Sequence, residues 1–270
     1  MIDEAHHAAA ASYRQVLKRL APAYLLGVTA TPDRDDQRNL SEVFETVAYS
    51  LTLFDLVKEG WLCNVKVRTL PVDVDLSKVE VENGDFKEED VGEALAPALE
   101  RLAGIVADEY RERKLIAFCP VRESSQMWTK ALLERGLPAA HVAGNSRDRK
   151  AILEAFSRNE IRFLSNASLL TEGYDEPSID TVLILRPTKS RVLLSQMIGR
   201  GTRLFEGKEH LLVLDPLFLS ERGGLASVAS VVAQERSEAE EIGEPPVVCC
   251  LGTRACLHSS GPAEGRHNVY

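Results

Sequence analysis

Hydrophobic residues follow two different periods along the second half of the chain. In one segment they recur at steps of three and four, which predicts a helix with one apolar face: Leu95, Leu99, Leu102, Val106 and Tyr110. The run LIAFCP (115–120) is short, apolar and closed by proline, which predicts a strand buried on both faces. By the same reasoning we predict further strands at 139–142, 162–170, 181–187 and 210–216, and helices at 122–135, 147–157 and 190–199. Strands that alternate with helices indicate an α/β fold with a parallel sheet covered by helices on both faces.

The first part of the chain has a weaker pattern of the same kind. Residues 13–20 are predicted helical, 24–31 form a strand that runs into a turn, and 41–61 are mostly helical. We therefore predict four regions: a partial lobe at 1–66, an acidic linker at 67–93, a complete lobe at 94–219, and a helical stretch leading into a disordered tail at 220–270.

Length and charge refine this division. The chain has 270 residues and 29.8 kDa, which is room for two domains, and its formal net charge of −9 counts against a uniformly basic nucleic-acid binder. The acids are concentrated, however, because 73–93 holds nine acidic and two basic residues, whereas 186–208 holds six basic residues and one acidic residue. A charge run alone is compatible with an ordinary solvated face.

Targeting signals and cysteine usage indicate the compartment. The five cysteines are odd in number and contain no CxxC pair, and no apolar run approaches the length of a membrane span. We therefore expect a cytoplasmic protein without membrane association.

Four short segments carry residues suited to phosphoryl-group chemistry. Asp3 and Glu4 are adjacent carboxylates, a pair that can hold Mg²⁺ and orient or deprotonate water, although on its own an acidic cluster beside histidines is more often part of the surface. The hydroxyls of Thr29 and Thr31 end an apolar strand, and TEGYDEPSID (171–180) follows another strand at the edge where parallel sheets bind ligands. QMIGRGTR (196–203) carries two arginines three residues apart. Pairing with carboxylates elsewhere on the surface is the alternative role for these arginines.

In order and approximate spacing these segments resemble the motifs of the DEAD/DEAH-box superfamily 2 helicases and translocases. DEAH (3–6) is similar to motif II, TAT (29–31) to motif III, LIAFCP to motif IV, TEGYDEPSID to motif V and QMIGRGTR to motif VI. The resemblance covers about residues 1–216 and is strongest to the bacterial and phage branch near restriction-enzyme motors and excision-repair helicases. It implies a RecA-like fold with ATP and Mg²⁺ as cofactors.

The resemblance also implies a role for each matching residue. Asp3 would coordinate Mg²⁺ and Glu4 would act as the catalytic base, while His6 would couple the ATP site to the second lobe through Gln196. Thr29 and Thr31 would relay between the ATP and nucleic-acid surfaces. Arg200 and Arg203 would be arginine fingers that stabilise charge on the transferred phosphate. Gly173 and Asp175 would lie at the interlobe cleft and contact the nucleotide and the strand backbone.

One motif of the family is missing from the sequence. No G-x-x-x-x-G-K-[ST] run, whose amides and lysine cradle phosphates, occurs anywhere, and the one Gly-Lys pair, Gly207-Lys208, is followed by Glu209. We therefore expect an N-terminally truncated helicase that is inactive alone, or one that works with a chain or segment supplying the phosphate loop.

Alternative functions stay open on the sequence. The lobe could be a non-enzymatic module that binds nucleic acid or docks on a partner, or the chain could be a nonfunctional gene fragment. The resemblance favours DNA over RNA as the nucleic-acid partner. The cysteines and histidines of the tail match no common zinc spacing, so we expect no metal there.

Overall fold

In a computed structural model, the structure of the chain is described for residues 1–29, 40–51, 53–82, 84–144, 148–167, 170 and 174–217. Thr31, Gly173 and the tail beyond 217, with its cysteines and histidines, lie outside these residues.

A six-stranded, all-parallel sheet forms the centre of the molecule. Its strands are β1 (Asn64–Thr69), β4 (Leu115–Cys119), β5 (Ala139–Val142), β6 (Phe163–Ala167), β7 (Thr181–Ile184) and β8 (His210–Asp215), in the spatial order β1-β8-β7-β4-β6-β5. Every neighbouring pair is parallel. The predicted RecA-like α/β fold is therefore confirmed.

Helices connect these strands and cover both faces of the sheet. They are α3 (Glu88–Glu109), α4 (Arg122–Glu134), α5 (Arg149–Ser157) and α6 (Arg191–Gly199). The chain crosses from β4 outward to the edge strand β5 through α4 and returns inward to β6 through α5. Because such crossovers are right-handed, α4 and α5 lie on opposite faces, and α4 packs against α3.

The sheet interior is apolar because its central strands are covered on both sides. All five residues of β4 and all four of β7 are buried. Trp128, Phe118, Phe156 and Phe163 are the largest fully buried side chains around them. This continuous apolar character is what the sequence pattern predicted for 115–120.

The segment predicted as a linker at 67–93 differs from that expectation. Strand β1 pairs with β8 along its whole length, and the residues after it place four side chains in the core: Leu70, Val72, Val74 and Leu76. A short hairpin, β2 (Val81–Glu82) and β3 (Asp85–Phe86), follows. Helix α3 then begins at Glu88, where the acidic residues Glu88, Glu89 and Asp90 suit the positive end of a helix.

The N-terminal residues form less regular structure than predicted. A 3-10 helix (Ala5–Ala9) leads into α1 (Ala11–Leu20), which confirms the helix predicted at 13–20. Helix α2 covers only Leu53–Lys58, so 41–61 is not mostly helical. The predicted strand at 24–31 is reduced, in its described part, to one bridge between Gly27 and Ile2, because only these residues pair.

Among the described residues, no helix combines the length and apolar character that crossing a bilayer requires.

Candidate functional site

The two arginines of motif VI are held by motif V. Arg200 lies just after α6 and donates from Nη1 to the carbonyl of Tyr174 at 2.7 Å. Arg203 forms a hydrogen-bonded ion pair with Asp175. The fold thus brings together three residues that the sequence predicted as a site: Arg200, Arg203 and Asp175. The alternative role for these arginines was pairing with carboxylates elsewhere on the surface. Arg203 does pair with a carboxylate, but that carboxylate belongs to Asp175, another residue of the predicted site.

Lys208 joins the same two motifs through their backbones. Its ammonium group donates to the carbonyl of Arg203 at 2.7 Å and to the carbonyl of Pro177 at 3.0 Å. Burial lowers the pKa of Lys208. The sequence showed Lys208 only as part of an incomplete phosphate-loop match, so this role was missed. The feature that could have indicated this role is the position of Lys208, five residues after Arg203 and directly after Gly207, whose φ is +78°.

Motif VI fits closely against the sheet at Gly201. A Cβ atom at this position would lie 2.3 Å from Cδ1 of Leu211 and 3.2 Å from Cγ2 of Val182. The next residue, Thr202, is buried and its hydroxyl donates to the carbonyl of Gly199 at 3.1 Å. Only glycine lets the backbone between the two arginines approach strands β7 and β8 this closely.

The chain that connects the N-terminal residues to the sheet runs beside motif VI. Leu62 and Arg203 form an antiparallel bridge, and the amide of Cys63 donates to the carbonyl of Thr202 at 2.8 Å. The Cys63 thiol lies 3.6 Å from the carbonyl of Gly201, and burial raises its pKa. The arginine segment is therefore held by the connector, by motif V and by Lys208.

The acidic pair at the N-terminus lies beside the segment that leads into Thr29, the described residue of motif III. Ile2 exchanges backbone hydrogen bonds with Leu26 and Val28 at 2.7 and 2.9 Å, and the amide of Ala5 donates to the carbonyl of Val28 at 2.9 Å. These bonds place Thr29, which directly follows Val28, next to the turn that carries Asp3 and Glu4. The described start of motif III, Thr29, is thus adjacent to the acidic pair.

Local geometry gives Asp3 and Glu4 different surroundings. Glu4 has φ 49° and caps the 3-10 helix, and its amide donates to Oδ1 of Asp3 at 2.9 Å. Asp3 is exposed, whereas Oε2 of Glu4 is buried. Of the other predicted residues, Gln196 is buried within α6, and the side chain of His6 is not among those described.

A buried ion pair joins Lys114 to Glu176 of motif V. Nζ of Lys114 lies 3.4 Å from Oε1 of Glu176, 2.6 Å from the hydroxyl of Ser178 and 4.8 Å from the centre of the Phe156 ring. Burial lowers the pKa of Lys114. Burial would raise the pKa of Glu176, but hydrogen bonds and the ammonium group outweigh it, and this pKa is lowered. The sequence suggested a role for neither residue.

A second polar cluster lies under the outer strands of the sheet. The hydroxyl of Ser125 contacts Nδ1 of His141 at 2.6 Å and donates to Ser165 at 2.8 Å, and Thr129 contacts Ser165 at 2.6 Å. Burial lowers the pKa of His141, and Arg122 lowers it further. Burial raises the pKa of the neighbouring Cys119 thiol to about 12. These groups are therefore neutral at ordinary pH.

The residues present fit a magnesium nucleotide in part. An exposed carboxylate such as Asp3 suits Mg²⁺, which is usually held by one or two carboxylates together with substrate phosphates. The described residues contain no group of three or more histidine, cysteine or acidic side chains that would form a complete protein cage for a metal. Arg200 and Arg203 offer positive charge to phosphate oxygens, while the glycine-rich cradle is not in the sequence.

Two family models match the chain. "Helicase conserved C-terminal domain" matches residues 97–204, and "Type III restriction enzyme, res subunit" matches residues 1–34. The first match contains motifs IV to VI, and the second contains the acidic pair and TAT.

Individual proteins are similar over most of the chain. A Saccharomyces cerevisiae protein named as the ATP-dependent helicase IRC3 is 31% identical over 243 residues, covering 83% of this chain and 34% of its own length. The type I restriction enzyme EcoAI endonuclease subunit of Escherichia coli is 25% identical over 261 residues, covering 82% of this chain and 32% of its own. The chain thus spans about a third of the length of these relatives.

A solved structure has the same fold. A fragment of a protein named as the HsdR subunit of a type I restriction enzyme from Vibrio vulnificus YJ016 superposes with a TM-score of 0.63 at 25% identity, covering 87% of this chain and 45% of the other.

Proposed function

Because the chain belongs to the superfamily 2 helicases, a family that hydrolyses ATP, we propose that it forms the second lobe and the end of the first lobe of an ATP-dependent helicase or translocase. The observation that carries this proposal is the joining of motifs V and VI. Arg203 pairs with Asp175 and Arg200 with the carbonyl of Tyr174, so the nucleotide-sensing arginines and the segment after β6 form one unit.

In this proposal each site residue has a distinct task. Asp3 holds Mg²⁺ and Glu4 accepts a proton from the attacking water, while Arg200 and Arg203 stabilise negative charge on the transferred phosphoryl group. His6 and Gln196 couple the two lobes, and Thr29 and Thr31 relay between the nucleotide and the nucleic acid. Gly173 and Asp175 contact the nucleotide and the strand backbone at the interlobe cleft.

We propose that the phosphate-binding loop comes from another segment or chain and that the present chain is inactive alone. Exposed apolar side chains support this. Tyr24 is 96% exposed, Leu26 55% and Val28 48%, and all three lie on the segment that pairs with Ile2. An exposed apolar segment beside the acidic pair suits packing against further strands of an ATP-binding lobe.

We also propose DNA rather than RNA as the nucleic-acid partner, since a type I restriction enzyme is among the relatives. Basic residues between 186 and 208 would contact the backbone, so binding should weaken steeply as salt increases.

Binding and ATP-turnover measurements on the purified 270-residue chain test this proposal. Fluorescence anisotropy should show binding of a single-stranded DNA oligonucleotide that exceeds binding of the matching RNA and falls with salt, without Mg²⁺-dependent ATP turnover. ATP affinity in the micromolar range, with turnover lost in Glu4→Gln, would contradict inactivity of the isolated chain. Absence of binding to both nucleic acids would contradict the nucleic-acid role.

A second candidate is a non-enzymatic nucleic-acid-binding or partner-docking lobe, favoured by the absence of the phosphate-loop motif from the sequence. Addition of a phosphate-loop-bearing lobe from a relative separates the two candidates. Turnover that appears on mixing and is lost in Arg203→Ala supports the enzyme, and binding without turnover supports the module.

A further inference from the structure

The acidic segment docks on a loop at the carboxyl edge of the sheet. Asp85, in strand β3, accepts hydrogen bonds from the hydroxyl of Thr188 at 2.5 Å and from the amide of Lys189 at 2.9 Å. The two oxygens of one carboxylate are thus bound by two neighbouring residues of the loop between β7 and α6.

Further contacts hold the hairpin and the start of α3 on the same loop. Nζ of Lys189 lies 5.4 Å from the centre of the Phe86 ring, and Arg186 forms an ion pair with Glu88 at 2.5 Å. The side chain of Arg186 is only 17% exposed, and burial raises the pKa of Glu88 against the opposing effect of Arg186. The ion pair is thus partly withdrawn from water.

The position of this loop suggests a ligand. Open parallel sheets bind ligands outside the carboxyl ends of their strands, and the loop follows the central strand β7 directly. Hydroxyls, backbone amides and basic side chains are the groups that proteins use to hold nucleic-acid phosphates. Here those groups hold carboxylates, which share with phosphate a negative charge and oxygen acceptors.

We propose that Arg186, Thr188 and Lys189 form a contact for a nucleic-acid backbone phosphate, and that two acidic residues, Asp85 in the hairpin and Glu88 at the start of α3, occupy this contact as a strap. A bound strand and the strap then compete for the same donors. This inference rests on the proposed nucleic-acid role, and it adds that the chain restrains its own binding through the segment 80–90.

The matched variants are Asp85→Ala and Asp73→Ala. Both remove one negative charge from the same acidic segment, but Asp73 is exposed and precedes the hairpin. Asp85→Asn is the second strap variant, because it removes the charge and keeps the side-chain shape. Affinity for fluorescein-labelled oligothymidylate would be measured by anisotropy across a salt series.

We expect Asp85→Ala to bind about fivefold more tightly than the wild type and Asp73→Ala to bind like the wild type. The salt dependence of the Asp85 variant should steepen by about 0.7 in the log-log slope, the increment of one added phosphate contact on a single strand. Lys189→Ala in the Asp85→Ala background should remove the gain.

Each remaining outcome contradicts the strap. An equal gain in both aspartate variants would mean that net charge alone sets affinity. An unchanged affinity in Asp85→Ala and Asp85→Asn, with the wild type still binding DNA, would refute the strap and leave the proposed function intact. Failure of every variant to bind at low salt would refute both.

Discussion

The residues before Leu62 and those after it differ in how much apolar surface they bury. After Leu62, the sheet and its helices enclose a continuous core, including Ile116, Leu164, Leu183 and Val213, all with exposures of 0%. Before Leu62, the described apolar residues that are buried are Ala5 and Ala8, while Tyr24 stays 96% exposed. The first region therefore holds its acidic pair with few apolar contacts, and the second carries most of the stability.

The largest effect is expected from the buried ion pair of the second region. Lys114→Met leaves the Glu176 carboxylate without its ammonium partner where both side chains are at most 9% exposed, so unfolding should cost about 3–5 kcal/mol less free energy. Urea unfolding followed by Trp128 fluorescence, in a Trp61→Phe background, measures this. Lys130→Met is the control, because its pair with Glu134 is solvent-exposed. Equal losses of unfolding free energy in Lys114→Met and Lys130→Met would contradict the greater contribution assigned to the buried pair.

A smaller loss is expected at the backbone between the arginines. Gly201→Ala forces a Cβ against Leu211 and should destabilise the second region by about 1–3 kcal/mol. Gly199→Ala, where a Cβ meets nothing within 4 Å, should be neutral or slightly stabilising in the same unfolding experiment. If both substitutions were neutral, motif VI would not be packed on the sheet as described.

A smaller effect again is expected from His141 as pH falls. Its pKa is lowered in the folded state by burial and by Arg122, so the unfolded chain takes up the proton first. The contribution of the neutral ring is complete above the unfolded pKa, near 6.5, and is lost as pH decreases through it toward the folded pKa. The stability difference between wild type and His141→Asn should therefore narrow between pH 7.5 and pH 5.5. If the stability difference between wild type and His141→Asn stayed constant over this pH range, protonation of His141 would not be coupled to unfolding.

The smallest effect is expected in the first region. Tyr24→Ser and Leu26→Ser remove exposed side chains and should change the unfolding free energy by less than about 0.5 kcal/mol. Leu164→Ala in the second region is the buried counterpart and should cost about 2–5 kcal/mol. A loss above about 1 kcal/mol at Tyr24 would show that this segment is packed within the chain itself.

The same contrast explains which elements could be predicted from sequence. Strands β4, β5 and β8 and helices α4 and α6 lie within a residue or two of their predicted bounds, since their patterns are set by burial against near neighbours. Strand β1 was missed because its partner β8 is distant in sequence and its alternating pattern, NVKVRT, is short. The strand expected at 24–31 has in its described part only the bridge to Ile2, which a pattern of apolar residues cannot reveal.

The sequence motifs predicted part of the candidate site. Asp175, Arg200 and Arg203 were found from their segments, and the fold brings them together. The supporting contacts of Lys208, Cys63 and Asp85 were not, because each depends on carbonyl or hydroxyl partners that only the folded backbone places within reach.

The bridge between Leu62 and Arg203 has a mechanical consequence. It sets the pivot for any rotation of residues 1–61 about the connector immediately beside the arginines. Because Leu62 is bridged to Arg203, such a rotation would have to take place before residue 62 and would leave Arg203 in its position on the sheet.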